Sequence, residues 1–130
     1  MDKKTKIKVS FDFDDTLDKE EVQQFAIELI DIGIDVWICT NRFPESEMIP
    51  RWNDDIYEIV DSIGISKSNI IFAQMSDKFV YLEDSNIIWH LDNSKPEIKA
   101  INKNSDVIGI HLYDPKWKSK CLKLLKKRSK

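Results

Sequence analysis

Glycine and proline are scarce in this chain, three and four residues in 130, which argues against a disordered or low-complexity protein. Cysteine is scarcer still. Cys39 lies inside an apolar run and Cys121 in a basic stretch. Neither has metal-ligand spacing, so the pair defines no disulfide framework and no zinc site. No apolar run approaches the length needed to cross a bilayer, and Met1-Asp2-Lys3-Lys4 carries no signal-peptide core. The expectation is a cytoplasmic protein without a membrane partner. Internal repeats and linkers are also missing, so residues 1–130 are expected to form one domain. That length buries a core without metal or disulfide staples.

What is present begins with charge. The net charge of −3 conceals an asymmetry, because residues 116–130 hold eight cations and no acid: Lys116, Lys118, Lys120, Lys123, Lys126, Lys127, Arg128 and Lys130. The first 115 residues therefore balance at −11. A basic end can touch nucleic acid or be a solvated helix. Helical spacing of Trp117, Cys121, Leu124 and Leu125 favours a helix over about 115–130, with lysines outward. Support for nucleic acid is correspondingly weak.

Short apolar segments alternate with helical patterns along the chain. Strands are expected at Ile7–Phe13, Val36–Cys39, Ile70–Ala73, Ile87–Leu91 and Val107–His111. Helices are expected over Glu20–Ile32, closed by Gly33, and about Arg51–Ile63, closed by Gly64. A helical turn spans Asp77–Asp84, and a further helix runs from Pro96 to about Asn102. Phe43-Pro44-Glu45-Ser46 reads as a loop. This alternation predicts a five-stranded parallel sheet in a three-layer α/β/α sandwich, doubly wound by right-handed crossovers. Such sheets bind ligands beyond the carboxyl ends of their strands. Three strands end in polar groups: Asp12 and Asp14, then Thr40-Asn41-Arg42, then Asp92-Asn93-Ser94. The fold rule gathers them in one crevice.

The first of these groups is the sharpest. Ile7-Lys8-Val9-Ser10-Phe11-Asp12-Phe13-Asp14-Asp15-Thr16-Leu17 breaks from a buried strand into three carboxylates and a threonine. If the strand continues, Asp12 and Asp14 share one side and Phe13 takes the other. Carboxylates at that spacing repel unless a cation lies between them, and Mg²⁺ prefers oxygen ligands. The competing reading is that Asp14-Asp15-Thr16 only caps the helix beginning near Asp18.

Asp12-x-Asp14-x-Thr16 after a strand, Thr40 ending the second, a downstream lysine and Asp92 ending the fourth together resemble the haloacid dehalogenase superfamily. The similarity is to its phosphatase branch, over about residues 7–111, and to a Rossmann-like fold. The resemblance implies a Mg²⁺-dependent phosphomonoesterase. Asp12 would be the nucleophile, forming an aspartyl-phosphate, and Asp14 the general acid and base. Asp12, Asp14 through its backbone carbonyl, and Asp92 would hold Mg²⁺. Thr40, Asn41 and nearby backbone N–H groups would bind phosphoryl oxygens, and Thr16 would steady the loop and Asp14. Lys78 suits the phosphate-neutralising cation better than Lys67, which precedes the third strand. Arg42 is either a second phosphate contact or a plain surface arginine.

Asp84 precedes its apolar run and should lie at the wrong end of the sheet, so Asp92 is preferred. Asn93 then replaces an acid that many relatives carry. His90 and His111, within strands, read as satisfied core residues outside the site. Trp37, Trp52, Trp89 and Trp117 read as core or helix-packing residues. The chain departs from the family in two ways: almost nothing separates Leu17 from Glu20, where relatives place a flap, and no cap domain fits. The site should be open, which suits a bulky substrate, a lid supplied by a partner, or loose specificity. A nucleotide, a nucleic-acid end or a phosphoprotein would each qualify. From another class, the same fold could be a non-catalytic phosphate-binding or regulatory module. A phospho-receiver domain would need its acceptor Asp after the third strand, where this chain has Gln74-Met75-Ser76.

Overall fold

The computed structural model describes residues 6–128. Met1-Asp2-Lys3-Lys4 and Lys130 of the basic end lie outside the described residues. Five strands, β1 (Lys8–Phe11), β2 (Asp35–Thr40), β3 (Ile70–Phe72), β4 (Ile87–Asp92) and β5 (Ile108–His111), form one sheet in the order β3-β2-β1-β4-β5. Every pairing is parallel. The helices are α1 (Glu20–Asp31), α2 (Asp54–Ile63), α3 (Lys78–Leu82), α4 (Lys95–Asn104) and α5 (Trp117–Arg128). The protein is a Rossmann-like α/β sandwich. Among the described residues no helix is long and apolar enough to cross a membrane.

Both faces of the sheet are covered, so its strands carry apolar residues in both directions. On one side Val9, Phe11, Trp89 and Leu91 pack with Phe25 and Leu29 of α1, Ile56 and Val60 of α2, and Trp117, Cys121 and Leu125 of α5. On the other, Cys39, Ile87 and Trp37 meet Phe79 and Leu82 of α3 and Ile101 of α4. An aromatic cluster ties the first side together. Phe25 lies edge-on to Phe11 and to Trp117, at 6.3 and 5.3 Å, and Phe11 is edge-on to Trp89 at 5.4 Å. Edge-to-face geometry is the arrangement ring quadrupoles favour.

The chain reverses direction in the sheet after β3, crossing β1 to add β4 and β5 on its far side. That switch point puts the ends of β1 and β4 side by side, where ligand crevices form. The open edge at β5 is blocked by a side chain: Asn102 accepts from Gly109 N–H at 2.8 Å and donates to its carbonyl at 3.4 Å. A Cβ at Gly109 would come within 3.2 Å of the Ile98 carbonyl oxygen, so glycine lets α4 lie this close to β5.

Several expectations need correction. β1 stops at Phe11 and not at Phe13, because the chain winds into a tight turn over Phe13–Leu17 with Asp15 in the left-handed region, φ 61°. Asp12 and Asp14 therefore do not share a strand face. Nor does Asp14-Asp15-Thr16 cap α1, whose N-cap position is Lys19. α2 begins at Asp54, three residues later than the periodicity suggests, since Arg51 is also left-handed at φ 63°. Trp52 is no core residue: it is 55% exposed, while Trp89 and Trp117 are buried and Trp37 is half-buried. On α5, Trp117, Cys121 and Leu125 face inward as the spacing predicts.

Truncating Phe25 would remove the ring that joins Phe11, Trp89 and Trp117. Phe25→Ala is expected to cost about 3–5 kcal/mol, read as a lower urea midpoint at unchanged slope.

Candidate functional site

At the carboxyl edge of the sheet the ends of β2, β1 and β4 are neighbours. Asp12 follows β1, and its N–H donates to the Leu91 carbonyl of β4 at 2.9 Å, which fixes it beside Asp92. Lys78, the first residue of α3, reaches between them. Its Nζ donates to Asp12 Oδ1 and to Asp92 Oδ2, both at 2.7 Å. The two carboxylate oxygens are thus no farther apart than twice that distance. All three groups are nearly sealed, with Asp12 6%, Lys78 1% and Asp92 1% exposed.

A second chain of polar groups supports Asp92 from below. Ser10 and His90 are paired across β1 and β4. Ser10 Oγ lies 2.6 Å from His90 Nδ1, and His90 Nε2 lies 2.8 Å from Asp92 Oδ2. A carboxylate can only accept, which assigns the proton to Nε2 and leaves Nδ1 to accept from the Ser10 hydroxyl. Asp92 Oδ1 takes the Ser94 N–H at 2.9 Å. The sequence reading left both histidines out of the site. His90 is indeed a core residue satisfied at both ring nitrogens, and one of its partners is Asp92. The signal was the two-residue alternation, which puts Ser10 below Asp12 and His90 below Asp92 on the same sheet face. His111 Nε2 sits 3.2 Å from the Asn93 carbonyl, bracing the loop after β4.

These contacts distribute charge unequally. Burial would raise the Asp92 carboxyl, but His90 and Lys78 outweigh it and hold Asp92 well below the usual carboxylate range. Burial pushes the Asp12 carboxyl up to about 7, against the pull of Lys78. Lys78 stays charged, since Asp12 and Asp92 overcome the burial that would lower it. His90 is lowered by burial and so kept neutral. One ammonium therefore serves two buried carboxylates, and the cluster has a negative excess when both are ionised.

That excess is the test of whether Mg²⁺ suits these residues. Among the described residues no three His, Cys, Asp or Glu side chains converge as a cage. Mg²⁺ needs no such cage, since one or two carboxylates with waters and substrate phosphate suffice. Asp12, Asp92 and the Asp14 carbonyl are hard oxygen donors, and Asn93 Oδ1 lies within 3.4 Å of Thr16 Oγ1 beside them. The donor chemistry fits.

Thr40 ends β2 and is fully buried; its hydroxyl accepts the Arg42 N–H at 3.3 Å, leaving its own proton to donate. The Asn41 carboxamide oxygen is buried without a partner among the described residues. As an acceptor it would meet a ligand hydroxyl or water, and a phosphate oxygen only if the amide were turned. Thr16 Oγ1 lies 3.3 Å from Asp12 Oδ2, so Thr16 touches Asp12 and not Asp14. The Asp14 side chain, 56% exposed, is drawn outward to Arg42, which grips it through Nε and Nη2 at 3.1 and 2.7 Å. Arg42 also grips Asp55 at 2.8 and 2.9 Å and reaches Asn53 Oδ1 and the Trp52 carbonyl. Its donors are fully engaged. Lys67 lies over the Tyr57 ring beside the start of β3, and Asp84 lines a hollow with Lys8 at the start of β1. Both belong to the opposite edge of the sheet.

Comparisons with protein-family models, curated proteins and solved structures returned no match.

Two variants check the arrangement. Lys78→Met leaves two buried carboxylates without their cation and is expected to destabilise the fold by about 3–5 kcal/mol in urea unfolding. Ser10→Ala strands the His90 Nδ1 acceptor and is expected to cost about 1–3 kcal/mol in the same measurement.

Proposed function

We propose that this chain is a Mg²⁺-dependent phosphomonoester hydrolase, similar to capless phosphatases of the haloacid dehalogenase superfamily. The observation that carries the reading is the Lys78 ammonium bridging Asp12 and Asp92 at the sheet switch point. Bound by Asp12, Asp92 and the Asp14 carbonyl, Mg²⁺ would supply the positive charge that lets a phosphate dianion approach carboxylates.

The roles of the side chains follow from their surroundings. Asp12 Oδ1 is held by Lys78, whereas among the described residues Oδ2 has only the long contact from Thr16. Oδ2 is the oxygen left to attack phosphorus. As its bond to phosphorus forms, the ester oxygen leaves and takes a proton from Asp14. Asp14 then accepts a proton from the water that attacks the aspartyl-phosphate. The bond between phosphorus and the Asp12 oxygen breaks, phosphate departs and the carboxylate is restored. Lys78 and the Thr40 hydroxyl would stabilise the anionic oxygens. Exposure suits Asp14 to proton exchange, and burial suits Asp12 to remain fixed.

One observation favours a second reading, a phosphate-binding module that does not turn over. Asp14 is held by two bonds to Arg42, so its carboxylate is not free to reach a leaving oxygen. Turnover needs that pair to open.

Hydrolysis of an aryl phosphate separates the two. With Mg²⁺, wild type is expected to show steady-state phosphate release, abolished by chelation and restored by Mg²⁺. Asp12→Asn is expected to lose at least about a thousandfold in kcat. Mg²⁺-dependent phosphate binding without release would leave the binding module standing, and equal rates for wild type and Asp12→Asn would remove the enzyme.

A further inference from the structure

Between β2 and α2 the chain runs from Asn41 to Asn53 without helix or strand. Three large apolar side chains in this segment face solvent: Phe43, Met48 and Trp52. Loops without a structural task seldom expose a tryptophan, since removing such a ring from water is strongly favourable.

The segment is nevertheless firmly built. Asn53 is fully buried; its N–H donates to Glu45 Oε2 at 2.8 Å and its Nδ2 to the Phe43 carbonyl at 2.9 Å. Tyr57 OH donates to Glu45 Oε1 at 2.8 Å. Arg42 reaches the Trp52 carbonyl, and Arg51 is held in the left-handed region beside it. Strain of this kind is retained where surrounding contacts over-determine it. The Trp52 backbone is thus fixed while its ring stays open to solvent.

Trp52 lines a hollow of about 570 Å³ together with Asp14, Arg42, Arg51, Asp54 and Asp55. Asp14 places this hollow against the candidate site. Arg42 bonds Asp14 and the Trp52 carbonyl, so one guanidinium links the rim of the site to the Trp52 backbone. A ligand filling both site and hollow would carry its phosphate at Asp12 and Lys78 and a planar group beyond it, toward Trp52.

Charge narrows the ligand further. The hollow holds three carboxylates against two guanidinium groups. A second phosphate would be repelled there, and so would a polynucleotide strand. The lysines that would attract one, Lys120, Lys123 and Lys127, line a separate groove along β5.

We propose that Trp52 is a stacking platform for the base of a nucleoside monophosphate whose phosphate sits at Asp12 and Lys78. This rests on the phosphate-site reading above and names the substrate class that reading leaves open.

The test is calorimetric titration of the full chain, in Mg²⁺, with two non-hydrolysable phosphonates. One is a nucleoside 5′-phosphonate and the other the matching ribose phosphonate without a base. Wild type is expected to bind the nucleoside analogue about tenfold or more tightly, the magnitude of one base-on-aromatic stack. Trp52→Ala should erase that preference and leave ribose phosphonate affinity unchanged, while Trp52→Phe should retain most of it. Equal affinity of wild type for both analogues overturns the platform alone, as does a preference that survives in Trp52→Ala. Tighter binding of a 5′-phosphorylated oligonucleotide overturns the choice of a mononucleotide. Failure of both analogues to bind overturns the phosphate site itself, and the platform with it.

Discussion

One buried ammonium decides where this molecule places its chemistry. Lys78 enters the sheet crevice fully desolvated, a condition that ordinarily drives a lysine to give up its proton. It remains a cation because Asp12 and Asp92 face it at 2.7 Å on either side. Remove the lysine and two carboxylates stand unpaired in the interior. Remove one carboxylate and the remaining pair is neutral, without the negative excess that invites a metal ion. The interaction also joins three distant parts of the chain: the end of β1, the start of α3 and the end of β4. Packing on both sheet faces can therefore be read as the scaffold that holds one cation between two anions.

The lower tier, Ser10 and His90, explains why the two carboxylates are not equivalent. Asp92 receives His90, Lys78 and the Ser94 N–H, and is the better stabilised anion. Asp12 receives Lys78 and a long contact from Thr16. An anion with few partners is the more reactive one, since less must be broken before it attacks. The asymmetry between a fixed acid and an available acid thus originates beneath the site, in a serine and a histidine paired across two strands.

Much of this was legible from residue order alone. Apolar runs of four to six residues alternating with helical periods specified the parallel sheet, and polar groups ending three of them located the crevice. Asp12, Thr40 and Asp92 could be named because strand ends are readable from where apolar character stops, whereas Lys78 was singled out by its place ahead of the fourth strand and by the family resemblance. The direction of Asp14 could not be read. It depends on a left-handed Asp15 and on an arginine 28 residues away, and neither conformation nor distant pairing is encoded in local spacing. Trp52 was hidden for a related reason. Helical periodicity seemed to begin at Arg51, and only the left-handed backbone there releases the following tryptophan to solvent.

The exposure of Asp14 at the rim gives the Arg42 pairings their meaning. In a covered site water is excluded by closure, and charges at the mouth can be left unpaired until substrate arrives. Here Asp14 is 56% exposed at the rim, above an Asp12, Lys78 and Asp92 that are nearly sealed. Arg42 joins Asp14 to Asp55, forming a rim in which two carboxylates share one guanidinium. A ligand must offer something besides charge to displace that arrangement. A phosphate anchored deep at Lys78, with a planar ring reaching Trp52, would engage the site at two points on either side of the rim. Under the proposed phosphatase reading, contact at both ends would bring Asp14 and the leaving oxygen together where neither end alone would suffice.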